Sequence, residues 1–190
     1  MNEYALMARP KSEEKRTLLL DAAARVVSQR GDSAPTALIA KEAGVAEGSL
    51  FTYFRNKEEL LTELFGALIA EAFASVPTNF EARTSTREKL LGLWSSIVRW
   101  GVSNPEKWTT IRVLNLSNLV DERRRRDAQS KGRQVLQDRF GIPDSPPGFH
   151  TRVLSALVDL TIDLTRQRPK LAEQYSAAGF EALWRAMTHG

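Results

Sequence analysis

The sequence predicts an all-α protein of about nine helices, a small helix-turn-helix domain followed by a larger helical one. Three observations lead there. Apolar residues recur at three- and four-residue spacing through the proline-bounded segments. No stretch alternates Val, Ile and Thr as a strand would. Glycine, Asn-Pro and Ser-x-x-Glu signals fall where the periodic segments start and stop.

The first helix is expected from Lys11 to Arg30, with Leu19, Leu20, Ala23, Val26 and Val27 as its apolar stripe and Gly31 as a left-handed stop. Thr36 opens a short helix, its hydroxyl placed to cap the amide of Ile39 or its neighbour, and Gly44 ends it. A second short helix covers Glu47–Phe54. Asn56 and Glu59 have the spacing of a reciprocal cap before a helix to Ser75, with Leu61, Leu64, Phe65, Leu68 and Ile69 on one face. Ser85 and Glu88 repeat that spacing ahead of a helix ending near Ser103, and Asn104-Pro105 starts another through Leu116. A polar helix over Leu119–Phe140, a proline-rich loop over Gly141–Gly148, and two apolar helices near Phe149–Arg166 and Lys170–Met187 complete the chain.

Composition narrows the function. The 190 residues are 42% hydrophobic and 26% charged, enough to bury a core without covalent staples and unlike a disordered chain. With no cysteine and only two histidines, His150 and His189, disulfides, thiolate zinc sites and cysteine nucleophiles are excluded, and no metal or cofactor is expected. The acidic residues do not pair at recognisable spacing, and no Ser–His–acid set or glycine-rich phosphate loop stands out, so no enzymatic activity is expected. No apolar run reaches membrane-spanning length, and Glu13, Glu14 and Asp21 interrupt any N-terminal leader, so a cytoplasmic protein is expected. The net charge of +4 suits a nucleic-acid partner.

The segment Thr36–Phe54 supplies a way to bind one. Two short helices meet at a tight turn at Gly44, with Ile39, Ala43, Val45 and Leu50 between them and small Ala40 allowing close approach. The second helix then presents Ala46, Glu47, Gly48, Ser49, Thr52 and Tyr53 outward, where a DNA major groove would receive it. Lys57 would meet a phosphate, and Arg9, Lys11, Lys15 and Arg16 would form a basic arm. The run Arg123–Arg126 is flanked by Asp121, Glu122 and Asp127 and reads as a solvated helix face.

The run from Leu19 to Leu61 resembles the DNA-binding domain of TetR-type transcriptional regulators. The matching pieces are Leu19-Leu20-Asp21-Ala22-Ala23, Gly31, Thr36, Ile39-Ala40, Ala43-Gly44-Val45, Gly48-Ser49-Leu50-Phe51, Tyr53-Phe54 and Lys57-Glu58-Glu59-Leu60-Leu61. The resemblance implies a helix-turn-helix domain over 1–56 and a ligand-binding and dimerisation domain over 57–190. It implies DNA contacts from Thr36, Ala46, Glu47, Gly48, Ser49, Phe51, Thr52, Tyr53 and Lys57, and a homodimer that represses from a palindromic operator until a small molecule releases it. Two positions depart from the family pattern. Phe51 stands where Tyr is common, and Ala46 stands where Ser or Thr would cap the reading helix, a cap worth about 1 kcal/mol.

Phe65, Trp94, Ile97, Val98, Trp108 and Ile111, with Asn115 for polarity, read either as core or as the lining of a pocket for a hydrophobic effector. Leu154, Leu157, Leu164, Phe180, Leu183 and Trp184 are candidates for a dimer interface, since one protomer would struggle to cover both last helices. A second reading, a helical ligand-binding or interaction module that has lost specific DNA binding, draws on Phe51 and Ala46.

Overall fold

The structure is a computed structural model that describes residues 4–77, 84–141 and 146–188, leaving aside the side chains of 4–12 and of part of 125–139. Among the described residues every regular element is helical. The order is α1 (Tyr4–Arg30), α2 (Thr36–Glu42), α3 (Glu47–Tyr53), α4 (Lys57–Ala74), α5 (Thr86–Ser103), α6 (Pro105–Leu116), α7 (Glu122–Phe140), α8 (Phe149–Gln167) and α9 (Ala172–Thr188). Single 3-10 turns at Gly31–Ser33 and Pro169–Leu171 lead into α2 and α9. Helix α1 begins at Tyr4, ahead of Pro10 and of the start expected at Lys11. A proline removes only one helical donor, and the helix continues across it. None of the described helices is long and apolar enough to cross a membrane.

The chain packs as two compact units, one of Met1–Leu68 with Glu106–Arg124, the other of Ile69–Pro105 with Arg125–Gly190. Packing thus groups residues differently from a division at 56/57. In the first unit, Leu19, Ala22, Ala23, Val26 and Val27 of α1 are buried with Ile39 and Ala40 of α2, Leu50 of α3 and Leu60, Leu61 and Leu64 of α4. Each large side chain among them contributes about 1.5–3 kcal/mol. Helix α6 closes this unit. The fully buried Thr110 hydroxyl donates to the Ala24 carbonyl of α1 at 2.7 Å. Below it, Ser117 Oγ donates to the Asp32 carboxylate at 3.0 Å, and the Asp121 N–H donates to Thr62 Oγ1 at 3.1 Å.

The second unit is built on α5, α8 and α9. Helix α5 starts with the capping box the sequence predicts. The Glu88 N–H donates to Ser85 Oγ at 3.3 Å, and the Ser85 N–H donates to Glu88 Oε2 at 2.8 Å. The Ser85 hydroxyl, which donates to Glu88 Oε2 at 2.6 Å, and then the Ser85 N–H hold the Glu88 carboxyl below the usual glutamate value. Trp94 is fully buried, and its Nε1 donates to the carbonyl and hydroxyl oxygens of Ser176 on α9, both at 3.1 Å. Gly179 makes room for it: a Cβ there would lie 2.6 Å from Trp94 Cζ2 and 2.5 Å from Thr161 Oγ1.

Gly179→Ala is therefore expected to lower stability by about 1–3 kcal/mol, because neither a sealed indole nor the helix can yield. Gly66→Ala, on the exposed side of α4 with nothing within 4 Å, is expected to raise it by about 0.5–1 kcal/mol. Paired chemical denaturation curves check the opposite signs.

Candidate nucleic-acid interface

The turn between α2 and α3 fixes the angle of the outer helix. Gly44 takes φ +70°, which L side chains rarely adopt. That conformation brings the Val45 N–H onto the Ala40 carbonyl (3.0 Å) and the Gly44 N–H onto the Lys41 carbonyl (3.1 Å), so the last carbonyls of α2 are satisfied within the turn. Ile39 and Leu50, both fully buried, fill the angle between the helices. The Phe54 N–H closes α3 on the Leu50 carbonyl at 3.1 Å. Ala46, the N-cap of α3, offers no side-chain cap, as its residue type implies.

With Leu50 turned inward, the opposite side of α3 is open. Gly48, Ser49, Phe51 and Thr52 are exposed in one patch, beside exposed Ala46 and Glu47. Thr36, Tyr53 and Lys57 are half-buried at its margins. Thr36 differs from expectation. Pro35 is the N-cap of α2, and its carbonyl already accepts from the Ile39 N–H at 3.2 Å. The Thr36 hydroxyl is left to donate to Glu47 Oε1 at 2.7 Å, joining the first residues of α2 and α3.

Of the basic arm, Arg9 and Lys11 lie outside the described side chains, and Lys15 is exposed. Arg16 is engaged elsewhere. It pairs with Glu63 of α4 and lies over the Phe54 ring, 5.3 Å from its centroid. It clamps the far end of α3 against α1 and α4, and no local sequence signal joins residues so far apart. Arg55, which the sequence reading passed over, follows α3 directly with 87% of its side chain exposed. In the Arg123–Arg126 run, Arg123, Arg124 and Arg126 are exposed, as a solvated face requires, and Arg125 is not described.

The cap at the start of α4 is only half reciprocal. The Glu59 N–H donates to Asn56 Oδ1 at 2.8 Å, but the Glu59 carboxylate turns to Arg55, taking its backbone N–H at 2.5 Å and its Nε at 3.1 Å. The Arg55 side-chain bond, then the backbone bond, hold the Glu59 carboxyl below the usual glutamate value. A carboxylate favoured in this way stabilises the fold above its ordinary pKa, and the contribution fades as pH falls through the lowered one. In a carboxyl NMR titration Glu59 is expected to protonate below the usual glutamate range, and Arg55→Ala to bring it part of the way back.

Elsewhere, Phe65, Trp108 and Ile111 are buried in the first unit, and Trp94, Ile97 and Val98 in the second. Asn115 is exposed on α6. On α8 the apolar residues form two stripes. Leu154, Val158 and Ile162 are buried in the protomer, whereas Leu157 and Leu164 are half-exposed and Leu160 is 54% exposed. Phe180 and Leu183 face inward at 3% and 0% exposure, filling the protomer's own core, while Trp184 is half-buried. His150 is buried at the start of α8, and His189 lies outside the described residues. Among the described residues no group of three or more His, Cys, Asp or Glu side chains could hold a metal ion.

Residues 19–64 match the family of bacterial regulatory proteins of the tetR type. The fatty acid metabolism regulator protein of Bacillus subtilis is 33% identical over 73 residues, 38% of this chain and 38% of that relative, so the likeness spans well under half of its length. A tetR-family transcription regulator from Shewanella sp. PV-4 has the same fold, with TM-score 0.79 at 24% identity over 91% of this chain and 97% of the other. The regulator FadR from Bacillus subtilis, solved in complex with stearoyl-CoA, shares the fold at TM-score 0.66 and 18% identity over 90% of this chain and 97% of the other. Residues 19–64 thus carry a helix-turn-helix segment of the tetR type, and the chain has the all-helical fold of tetR-family regulators.

Proposed function

We propose that the protein is a cytoplasmic transcriptional repressor that binds a palindromic operator as a homodimer and leaves it when a hydrophobic small molecule binds. Residues 1–56 read DNA, and 57–190 hold the effector and pair the protomers. The observation that carries this reading is the exposed patch Gly48, Ser49, Phe51 and Thr52 on a helix whose other side is pinned by Leu50, within a segment of tetR-family sequence. A major groove admits one such helix. The hydroxyls of Ser49 and Tyr53 and the Lys57 ammonium would take phosphate oxygens and set the register, while Thr36, its hydroxyl donated to Glu47, would hold the start of the reading helix. A bound dimer would repress by occupying the promoter.

The outer stripe of α8, with Leu157, Leu160 and Leu164, supports pairing with a second copy, because a protomer alone leaves that leucine stripe in water. Trp184 on α9 would extend the face. The stearoyl-CoA bound by FadR, which shares the fold, makes long-chain acyl-CoA the first effector to try. Added to the protein–operator complex, it is expected to release the DNA.

Selection of random-core duplexes by the purified protein tests the reading. An enriched two-fold motif is expected, and a folded protein that enriches none would overturn it. On the selected duplex, Lys57→Ala is expected to lower the salt-dependence slope of a dimer by about two, one phosphate per protomer. Tyr53→Ala with Lys57→Ala should weaken binding roughly ten-fold or more. For the dimer face, Leu160→Glu is expected to give a folded monomer by light scattering, since it places a carboxylate in the apolar seam and leaves the inner stripe intact.

A further inference from the structure

We infer that the reading helix chooses its operator through the C5-methyl groups of thymine, and that Phe51 is the residue that meets them. The inference rests on the DNA-binding reading above and adds to it the base that is read. Side chains that recognise purines by paired hydrogen bonds are Arg and Lys for guanine and Asn and Gln for adenine. Helix α3, Glu-Gly-Ser-Leu-Phe-Thr-Tyr, has none of them. Its one carboxylate, Glu47, the type of group that accepts from a cytosine amino group, already takes the Thr36 hydroxyl at 2.7 Å. The Thr52 hydroxyl turns back toward the Gly48 carbonyl, 3.5 Å away.

Phe51 is what remains in quantity. Its side chain is large and has no polar atom, and the residue is 45% exposed although the helix has a buried side one residue away, at Leu50. Gly48, three residues earlier on the same face, has nothing within 4 Å of where a Cβ would stand, so the strip beside the ring is open to a base pair. Phenylalanine has no group that could pair with a phosphate or a base edge and gains only by burying apolar surface. In the major groove the apolar group on a base edge is the thymine methyl.

The test uses the full-length protein and a duplex it selects. Each thymine is replaced in turn by deoxyuridine, which removes the methyl group and keeps the pairing. At one thymine in each half-site the replacement is expected to weaken binding about four-fold, the effect of one buried methyl group. Phe51→Ala, whose fold is verified by circular dichroism, is expected to bind the thymine and uracil duplexes equally, and Phe51→Ser serves if the alanine variant does not fold. Equal binding of the wild type to fully uracil-substituted duplex would overturn the inference. So would an undiminished preference for thymine in the Phe51 variants, which would assign the methyl contact to another residue. A wild-type protein that binds no duplex at all would instead overturn the DNA-binding reading beneath it.

Discussion

The Val45 N–H can reach the Ala40 carbonyl because Gly44 turns left-handed, and the direction in which α3 leaves α2 follows from that bond. For a residue with a Cβ the same conformation costs about 1–2 kcal/mol. The cost matters because α3 is only seven residues long. So short a helix has no stability of its own and takes its position from its ends. At its start are the turn and the Thr36–Glu47 bond. At its finish, Phe54 is buried under the Arg16 guanidinium, which Glu63 holds in place. Everything exposed on α3 owes its position to these anchors.

The second unit is governed by a close approach. With no side chain at Gly179, α9 comes down onto Trp94, and the indole N–H finds Ser176 one turn earlier on the same helix. The close approach extends to α8. Thr161, the other atom a Cβ would strike, lies in the buried stripe with Leu154, Val158 and Ile162. Leu157, Leu160 and Leu164 lie on the other stripe, more exposed than this one.

What was legible in the sequence is what local geometry decides. The helices follow from apolar period, the start of α5 from Ser85 and Glu88 three residues apart, and the turn from Gly44. Each signal lies within a few residues of the structure it causes. Thr36 departs from its expected capping role for an equally local reason that residue type alone does not reveal: the extended backbone at Pro35 (ψ 137°) makes proline the cap and moves threonine inside the helix. Arg16 could not be placed, since its partners stand 38 and 47 positions along the chain. Phe180 and Leu183 looked like a surface for a partner because apolar period locates a stripe without saying what covers it. Covering is decided by how α5, α8 and α9 meet.

Helix α6 carries a consequence for how the protein is made. The Ala24 carbonyl, the Asp32 carboxylate and the Thr62 hydroxyl all find their partners between Thr110 and Asp121. Domains commonly fold as they leave the ribosome, N-terminal first. Here the N-terminal unit cannot finish that way. When residue 68 emerges, its last strut is still unsynthesised, and the Ala24 carbonyl waits for its Thr110 partner while Ile69–Pro105 is added. The helix-turn-helix part of the protein is the first to be translated, yet its unit is completed only after Ile69–Pro105, a segment of the other unit, has been translated.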